Sequence, residues 1–578
     1  MKTILSQCDF IKVNKTLIFV FGFLFTFFSV ANAQQGKSKA SMHHEVPDDP
    51  YIAGTNDGKK TSPAYQSKST SLFYMTQVNI NEDGDNILGD AGNEPSLAVD
   101  PTDPNRMVIG WRQFDDVGNN FRQAGYGYST DAGQTWTFPG VIDPGIFRSD
   151  PVLDFDADGN FYYNSLTVDN ASNMWCDVFR ITDGGVEWDE GVFAQGGDKQ
   201  WMRIDRTEGM GAGHNYSFWN ASYSICYPDA FTRSANGGDS YEECVGVAGY
   251  PIWGTLAVDA DGILYAVGAA GTADGIIVTK SSSARDVSVG LTWDFYTEVY
   301  LAGELTGWTD VNPAGLLGQA WIDVDISEGP GHGNVYVMAA VDPFSSSDPG
   351  EIMFARSTDG AESWEFPIRI NDDGLNSNNT QWFGTMSVAP NGRIDAVWLD
   401  TRDNPGTNLS ALYYSYSVDQ GETWTENEKL SDSFDPHVGW PQQQKMGDYY
   451  DMVSDNEGAH LAWANTLNGE QDVYYGHIVP QFTGIANNLQ KQTISVMNYP
   501  NPFSERTTVR YEIKDNGFVD LAVFDMFGKE VKSLVNGKQQ AGIYNIQMET
   551  ANLSEGIYYC RLNTNGQSET VQMVVIKK

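Results

Sequence analysis

Basic residues are scarce in this sequence of 578 residues, which has 35 Lys and Arg against 76 Asp and Glu and a formal net charge of −41. Nucleic acids and anionic membrane surfaces are bound by clustered Lys and Arg, so both are disfavoured as partners. The excess of carboxylates suits solubility outside the cell, and it leaves divalent-cation binding as a sharper interpretation.

Histidine and cysteine are also rare, with seven His and five Cys. The sequence has no Gly-x-Ser-x-Gly, no His-Glu-x-x-His and no phosphate-binding loop, so the enzyme classes that need these motifs lack support. Cys226 and Cys244 flank a hairpin-like stretch and could form a disulfide bond, with buried free thiols as the alternative.

No apolar run reaches the length of about 20 residues that spans a bilayer. The nearest run, residues 17–30, follows three lysines and precedes Ala31-Asn-Ala33, a pattern typical of a signal peptide over residues 1–33. We expect a disordered polar leader over residues 34–70 and no transmembrane segment in the exported protein.

An octapeptide recurs along the chain. It reads Ser-Thr-Asp-Ala-Gly-Gln-Thr-Trp at residues 129–136, and it returns at 357–364 and 417–424, with weaker copies at 181–188 and 234–241. Its Asp can accept backbone N–H groups and its Gly can take a positive φ, so each copy predicts a tight turn between two strands. The residues to which we assign this structural role are Ser129, Asp131, Gly133, Trp136, Ser357, Asp359, Trp364, Ser417, Asp419, Gly421 and Trp424.

A second unit, an apolar strand followed by a turn and another strand, recurs seven times, at residues 94–111, 150–163, 201–219, 254–265, 321–337, 383–398 and 448–463. Its spacing of roughly 50 to 65 residues suits four strands plus loops. The seventh unit ends after three strands, and a strand near Tyr74 could complete it and close the ring. We predict an all-β chain with a seven-bladed β-propeller over residues 71–479; a six-bladed ring is the alternative.

The octapeptide resembles the Asp-box, or bacterial neuraminidase repeat, of the sialidase superfamily. The resemblance implies the propeller fold, with Asp-boxes on the face opposite the working site. Sialidases of the family hold the substrate carboxylate with three arginines and use a Tyr–Glu pair and an Asp in catalysis. The nearest match here to the family's first arginine motif, Phe147-Arg-Ser-Asp-Pro, has one extra residue and precedes the second unit rather than the first.

A polar linker over residues 480–494 leads to a tail whose short alternating strands predict a small Ig-like β-sandwich over residues 495–578. Its motifs include Tyr499-Pro-Asn-Pro-Phe, Leu553-Ser-Glu-Gly-Ile-Tyr-Tyr and a closing Val-Val-Ile-Lys-Lys. In order, they resemble the type A C-terminal sorting domain of the type IX secretion system of Bacteroidetes. The resemblance implies that the protein meets the secretion machinery and is secreted or attached to the outer cell surface. An ordinary accessory sandwich is the alternative.

In a propeller, the starts of the innermost strands and the loops after the second strands share one face. Carboxylates and cations on that face could do glycosidase chemistry, and aromatic and polar groups could hold a sugar. The catalytic candidates are Glu94, Asp150, Arg112, Arg148, Arg402 and Asp448. The glycan-binding candidates are Lys199, Trp201, Trp321, Trp382, Asp400 and Asp403.

One segment fits the opening of a calcium loop, with Asp154, Asp156 and Asp158 as candidate ligands. The equivalent turns of the other units are plain hairpins, and the twelfth loop position is Ser165 rather than Glu. We therefore interpret the segment as a structural turn and expect no metal or cofactor, with calcium left possible.

The sequence leaves three functions open for this protein, which we expect to be a monomer. The favoured one is binding of extracellular or cell-surface glycan. The enzyme alternative is an exo-sialidase-like glycoside hydrolase, or a polysaccharide lyase, acting on an acidic glycan. The third is a non-catalytic interaction scaffold, which a plugged central funnel would favour.

Overall fold

A computed structural model describes residues 49–52, 59–66, 70, 72–480 except 183, 185, 271–274 and 345, and 494–577 apart from a few loop residues. The chain divides into two compact units, Met1–Pro480 and Gln481–Lys578. The predicted signal peptide lies outside the described residues, as do most of the predicted leader and nearly all of the predicted linker.

The first unit contains seven antiparallel sheets that follow one another along the chain. The first sheet holds Ala91–Val99, Met107–Phe114, Gln123–Ser129 and Thr137–Ile142. The second holds Ser149–Phe155, Phe161–Val168, Met174–Ile181 and Val192–Phe193. The third holds Trp201–Ile204, Asn215–Phe218 and Phe231–Ser234. The fourth and fifth hold Pro251–Ile252, Leu256–Val258, Leu264–Ala270, Ile276–Ser281 and Phe295–Val299; and Gly303–Glu304, Trp321–Val324, Val335–Pro343, Glu351–Ser357 and Ile368–Arg369. The last two hold Gln381–Val388, Ile394–Asp400, Ala411–Ser417 and Glu428–Lys429; and Asp451–Ser454, Ala459–Asn465, Asp472–Ile478 and Phe73–Gln77.

The seventh sheet joins the two ends of this unit. Phe73–Gln77 pairs antiparallel with Asp472–Ile478, from Phe73 opposite Ile478 to Gln77 opposite Tyr474. The prediction that an N-terminal strand completes the last unit is thereby confirmed. The pairing leaves no open edge on Asp472–Ile478, which would otherwise present unpaired backbone groups to other chains.

One strand of each sheet, its first strand, is linked by side chains to the first strand of the next sheet. The first strand is Leu256–Val258 in the fourth sheet, Trp321–Val324 in the fifth, and the strand given first above in each of the other five. In most links a side-chain oxygen accepts a backbone N–H, and in one, the Nε of Arg203 donates to a backbone carbonyl. The seven links, with their heavy-atom distances, are Ser96–Leu153 at 2.8 Å, Asp154–Ile204 at 2.7 Å, Arg203–Leu256 at 3.2 Å, Thr255–Ile322 at 3.0 Å, Asp323–Val388 at 2.8 Å, Ser387–Ser454 at 3.0 Å and Asp451–Leu97 at 3.0 Å. Because the last link returns to the first sheet, the seven first strands form a closed cycle.

The octapeptides form the same turn wherever the structure describes them fully. In the first copy the Ser129 hydroxyl accepts the Gly133 N–H at 2.9 Å, and the Asp131 carboxylate accepts the Thr135 N–H at 2.9 Å. Ser357 with Asp359, and Ser417 with Asp419, repeat both contacts.

The closing tryptophans of the three strong copies pack against the preceding sheet. Trp136 lies 5.4 Å from the Tyr475 ring, Trp364 donates to Thr297 at 3.0 Å, and Trp424 lies 5.2 Å from the Phe354 ring. Each turn therefore fastens its own sheet to the one before it.

The first unit also contains two short strand pairs, a short helix and a disulfide bond. Thr61–Pro63 pairs with Asp85–Ile87, so order begins earlier than the polar composition of residues 34–70 predicts. Gly307–Thr309 pairs with Asn312–Leu316, and Ala221–Tyr223 forms a short 3-10 helix. Cys226 and Cys244 form the disulfide bond considered from the sequence.

The second unit contains two antiparallel sheets that share one apolar core around Val509, Leu521 and Cys560. One sheet holds Ile494–Tyr499, Arg506–Ile513 and Gly542–Glu549; the other holds Glu530–Gln539, Gly517–Asp525, Gly556–Thr564 and Gln567–Val575. A two-sheet sandwich agrees with the predicted class, and its Ig-like character stays a prediction.

Across the described part of the chain, no helix has the length and apolar character needed to cross a membrane.

Candidate functional site

Every sheet of the first unit has a residue with positive φ near the start of its first strand. These residues are Glu94, Asp150, Lys199, Trp253, Gly318, Phe383 and Gly447. A left-handed conformation costs a non-glycine residue about 1–2 kcal/mol, so its recurrence at charged and aromatic positions reflects a requirement of the ring. Glycine is needed at position 447, because a Cβ there would lie 2.5 Å from the Cγ of Glu94.

These turns bring charged side chains from the first three sheets and the seventh into one buried cluster. The Lys199 ammonium lies 2.7 Å from a carboxylate oxygen of Asp448 and 3.2 Å from one of Asp150. The Lys445 ammonium lies 2.8 Å from Asp448 and 3.3 Å from Glu94. All five side chains are buried. Two lysines therefore bridge three carboxylates on the ring axis.

Arginines complete the cluster. The Nε of Arg112 lies 3.3 Å from Glu94 and donates to Asn93 at 2.8 Å. Buried Arg122 interacts electrostatically with Asp150, Asp198 and Asp448. Four acidic and four basic side chains therefore lie together, and pairing between opposite charges offsets part of the cost of burying them.

Burial and pairing shift the pKa values of these groups in different directions. Desolvation raises the pKa of Glu94 to about 7, and Arg112 and Lys445 only partly offset it. Desolvation also raises the pKa of Asp198 to about 8. Desolvation would raise the pKa of Asp150 too, but Lys199 and Arg112 outweigh it and lower that pKa to about 2. Asp150 is thus held ionised, while Glu94 can take up a proton near neutral pH.

We expect the free energy of unfolding to fall as the pH rises from about 5 to about 8. In this window folded Glu94 and Asp198 still hold protons that the unfolded chain has released, so unfolding releases protons. Each group contributes a slope of about 1.4 kcal/mol per pH unit while it titrates. Urea melts at pH 5, 6, 7 and 8 measure the slope. Glu94→Gln should reduce it and the exposed substitution Glu82→Gln should not; a stability that is constant or rises over this window would refute the assignment.

Two segments cover the cluster. The Gln443 side chain accepts from Arg112 at 2.9 Å, and the Met446 N–H donates to Asn312 at 2.9 Å. Asn312 belongs to the hairpin of Gly307–Thr309 and Asn312–Leu316, whose Leu316 N–H donates to Asp448 at 2.8 Å. The axial funnel predicted on this face is therefore filled.

The structure brings together four of the six catalytic candidates, namely Glu94, Arg112, Asp150 and Asp448. Arg148 lies elsewhere and pairs with Asp177 at 2.7 Å and Asp143 at 2.9 Å. Arg402 pairs with Asp400 at 2.8 Å and with Asp372, and its guanidinium lies 4.5 Å from the Tyr413 ring. These two arginines are engaged in local ion pairs.

The glycan-binding candidates are mostly in the core. Trp201, Trp321 and Trp382 are buried, and Trp201 packs edge-on against both Trp321 and Tyr449. Their assignment as sugar platforms is corrected, because a buried indole offers no face for stacking. Lys199 is also buried in the cluster.

The two remaining glycan candidates make local contacts. Asp400 accepts from Gln381 at 3.0 Å and Trp398 at 2.9 Å, and half-exposed Asp403 pairs with Lys429 at 2.7 Å. Neither carboxylate lies in a ring-axis site with the lysines.

The three calcium candidates do not converge. Asp154 accepts the Ile204 N–H and pairs with Arg206 at 2.7 Å, whereas Asp156 accepts two N–H groups of its own hairpin turn. Asp158 is exposed. In the part of the chain that is described, no group of three or more His, Cys, Asp or Glu is placed to hold a metal ion.

Sequence reasoning missed Lys445, Asp198 and Arg122 as members of the cluster. Lys445 and Asp198 precede the first strands of the seventh and third sheets, the same position in the repeat as the candidates that were found. Alignment of the units at that position would have found both. Arg122 precedes the third strand of the first sheet, where no repeat signal marks it.

A row of exposed aromatic side chains runs along the last strand of the fourth sheet, Phe295–Val299, and beyond it. Tyr296 and Tyr300 are each 55% exposed. Glu298 lies between them, two residues from each, so all three side chains project from one face of the extended chain. Phe366, which is 81% exposed, lies 6.1 Å from the Tyr300 ring.

The turn of the fifth sheet fixes this strand in place. The Thr297 hydroxyl donates to the Ala361 carbonyl at 2.9 Å and accepts from the Trp364 indole at 3.0 Å. Thr297 lies between Tyr296 and Glu298, so these contacts hold the strand that carries Tyr296. Tyr300 directly follows this strand, and Phe366 lies just before Ile368–Arg369 of the fifth sheet.

Residues 497–577 match the family model of the secretion system C-terminal sorting domain. The chain therefore carries a type IX sorting domain, which implies contact with the secretion machinery and export to the cell surface or the medium. No curated protein matches the sequence.

Solved structures resemble the chain only distantly. A protein of unknown function from Dyadobacter fermentans is 11% identical with a TM-score of 0.39, covering 71% of this chain and 100% of its own. A Hadza microbial sialidase is 12% identical with a TM-score of 0.35, covering 67% and 66%. PorZ, a surface component of the type-IX secretion system of Porphyromonas gingivalis, is 11% identical with a TM-score of 0.28, covering 82% and 68%. Similarity at this level carries no argument about activity.

Proposed function

We propose that the exported protein is a seven-bladed β-propeller that binds extracellular or cell-surface glycan on the exposed aromatic row of its fourth blade. The observation that carries the proposal is the exposed aromatic row, with Tyr296 on the last strand of the fourth sheet, Tyr300 directly after that strand and Phe366 beside Tyr300. The sorting domain supports an extracellular setting, where such polymers occur.

The blade count rests on the cycle of sheets. Seven first strands are linked in order by seven side-chain contacts, and the last link, from Asp451 to Leu97, returns to the first sheet. A closed ring of this kind is the propeller architecture, in which each sheet is one blade. The six-bladed alternative would leave one of these sheets outside the cycle.

The aromatic row has the chemistry of a sugar platform. Aromatic faces stack on the apolar faces of pyranose rings, and hydroxyl and carboxylate groups accept hydrogen bonds from sugar hydroxyls. Tyr296 and Tyr300 are four residues apart on an extended strand, about 13 Å along its axis. Glu298 between them adds a carboxylate. The spacing and openness of the row suit a polymer lying along the strand better than a single sugar in a pocket.

The buried cluster argues against hydrolysis at the ring axis. Glycosidases need two carboxylates that flank a bound glycosidic bond. Glu94 and Asp150 are both fully buried, and Lys199, Lys445 and Arg112 occupy their surroundings. The hairpin and the segment around Gln443 also close the access from this face. We therefore place binding ahead of catalysis.

Tyr300→Ala and Phe366→Ala should each weaken glycan binding about tenfold. Loss of one stacking contact costs on the order of 1.4 kcal/mol, which corresponds to that factor. Affinity electrophoresis of the purified protein against sialosides and against acidic and neutral polysaccharides measures the retardation. Phe193→Ala is the matched control, because Phe193 is a half-exposed aromatic residue on the last strand of the second sheet.

The same assay separates the alternatives. Retardation that survives both substitutions would move the glycan site away from this row. Product release from any of these glycans, lost in Asp150→Asn, would establish the glycoside hydrolase or lyase in place of the binding module. No retardation and no product across the panel would leave the interaction scaffold as the function.

A further inference from the structure

A second opening lies on the ring axis, on the face opposite the buried cluster. It is a cavity of about 590 Å³ around which the first strands end. Val99 lies opposite Met107, and Met107 lies opposite Ser129, so this end of the first sheet is also the end that carries the octapeptide turn. The cavity therefore opens on the Asp-box face, and of the candidates assigned from the sequence to the other face only Trp321 belongs to its lining.

The walls of the cavity are apolar. They are formed by the residues that end the first strands, among them Val99, Phe155, Val324 and Val453. Trp321 lies at the inner end and packs edge-on against Trp201, which in turn contacts Tyr449 beside the charged cluster. This aromatic layer divides the axis into two compartments, a filled one and an open one.

Charged groups near the cavity are mostly acidic. Asp100, Glu208, Asp259, Asp323 and Asp455 line it, against Arg203 and Arg206. Both arginines contact Asp154, at 3.5 Å and 2.7 Å. Asp100 pairs with Arg106, and Asp455 pairs with His460 at 3.1 Å, so the acidic excess rests on Glu208, Asp259 and Asp323. Asp323 contacts the backbone N–H groups of Val324 and Val388. A concave site with low-dielectric walls concentrates this negative field, which favours a cationic group at the opening.

The size and polarity of the cavity indicate what kind of ligand it can hold. Ligand pockets of about 300–1,000 Å³ are mostly apolar with a few placed polar groups, and this cavity falls within that range. Burial of an alkyl chain is favourable in proportion to the apolar area that it removes from water. We propose that the Asp-box end of the ring axis is a binding site for a small amphiphile with an apolar body and a cationic head.

Isothermal titration of the full mature chain with octylammonium, octyl glucoside and octyl sulfate, each below its micelle concentration, tests the proposal. The three probes share the alkyl chain and differ in the charge of the head. We expect octylammonium to bind at least tenfold more tightly than octyl sulfate, with octyl glucoside between them.

Two variants locate the binding. Val258→Phe adds volume at a half-buried wall residue and should weaken octylammonium binding at least tenfold, with an unchanged melting temperature showing that the ring still folds. Glu208→Lys reverses an exposed charge at the opening and should weaken octylammonium several-fold while strengthening octyl sulfate. Glu426→Lys, an equal charge change on an exposed residue outside the cavity lining, should do neither.

Equal or tighter binding of octyl sulfate would overturn the assignment of a cationic head. Octylammonium binding that Val258→Phe leaves intact would place the probe elsewhere, and absence of binding by all three probes at millimolar concentration would overturn the site. The glycan proposal is independent of each of these outcomes, because Tyr300 and Phe366 are not among the residues that line the cavity.

Discussion

Lys199→Met is expected to destabilise the first unit by about 3–5 kcal/mol, the usual cost of removing one partner from a buried ion pair. The Lys199 ammonium lies between Asp448 and Asp150, which are both buried. Methionine keeps the length of the side chain but leaves Asp150 without its nearest cation in a setting of low dielectric. The midpoint of guanidinium unfolding and the melting temperature measure the loss.

The matched control is Lys429→Met. Lys429 pairs with Asp403 at 2.7 Å, but both side chains are more than a third exposed, so its loss should cost at most about 1 kcal/mol. The double variant Lys199→Met with Asp150→Asn should recover part of the stability, because the uncompensated carboxylate is then gone and Asn tolerates the left-handed backbone at position 150. A Lys199→Met protein as stable as the control variant would contradict a cluster stabilised by the ion pairs of Lys199.

Removal of the closing strand is expected to make the first unit aggregate. A chain that begins at residue 79 lacks Phe73–Gln77, so the backbone groups of Asp472–Ile478 that face it lose their partners. The buried side chains of Phe73 and Met75 are lost from the core as well. An exposed strand edge pairs with other chains, so we expect aggregation on size-exclusion chromatography.

A chain that begins at Asp49 is the control, since it keeps the closing strand and the short pair of Thr61–Pro63 with Asp85–Ile87. It should elute as the mature protein does. Thr76→Pro offers a test without truncation. Thr76 lies opposite Tyr475 and two residues before Val78, whose N–H donates to the Val473 carbonyl, so proline there removes a hydrogen bond to Asp472–Ile478. A monomeric, cooperatively melting protein that lacks residues 1–78 would show that the ring does not depend on this strand.

The order of the sheets and their closure could be predicted from the sequence because both depend on local patterns. Alternating apolar residues mark each strand, and the Ser-x-Asp turn marks the third hairpin of several units. The seventh unit's ending after three strands, with a further strand near Tyr74, was enough to predict the closing strand. The links between first strands were not predictable, since a Ser, Asp, Arg or Thr serves equally well in them.

The site was predicted less well, because its geometry depends on backbone conformations that the sequence does not indicate. Glu94, Asp150 and Lys199 were identified as facing the axis, but their left-handed conformation directs them into a common buried cluster rather than along an open funnel. No residue pattern predicts a positive φ at Glu or Lys, which adopt it rarely. Trp201 and Trp382 illustrate the same limit, because an indole at the start of an inner strand has the same sequence signature whether it lines a funnel or fills it.

The exposed aromatic row shows what periodicity can and cannot indicate. Alternation along Phe295–Val299 predicts that Tyr296 and Glu298 share a face, but the contact of Phe366 with Tyr300 joins residues that are far apart in sequence. Tyr296 and Tyr300 are exposed because the turn of the fifth sheet packs on Thr297 and does not cover the two tyrosines. That arrangement is a property of the packed ring and not of any one segment.

The pairing of Phe73 with Ile478 also sets the order in which the protein can be assembled. The strand that closes the ring is among the first parts of the mature chain to be synthesised, and its partner is completed only when six sheets have already been made. Until Asp472–Ile478 has been synthesised, and in any extended form of the chain, the last sheet cannot form. Ring closure is therefore a late event that involves the whole unit, whereas each earlier sheet can form from its own contiguous segment. The tail that follows Pro480 lies outside this constraint, since all its strands come from one continuous stretch of about 85 residues at the end of the chain.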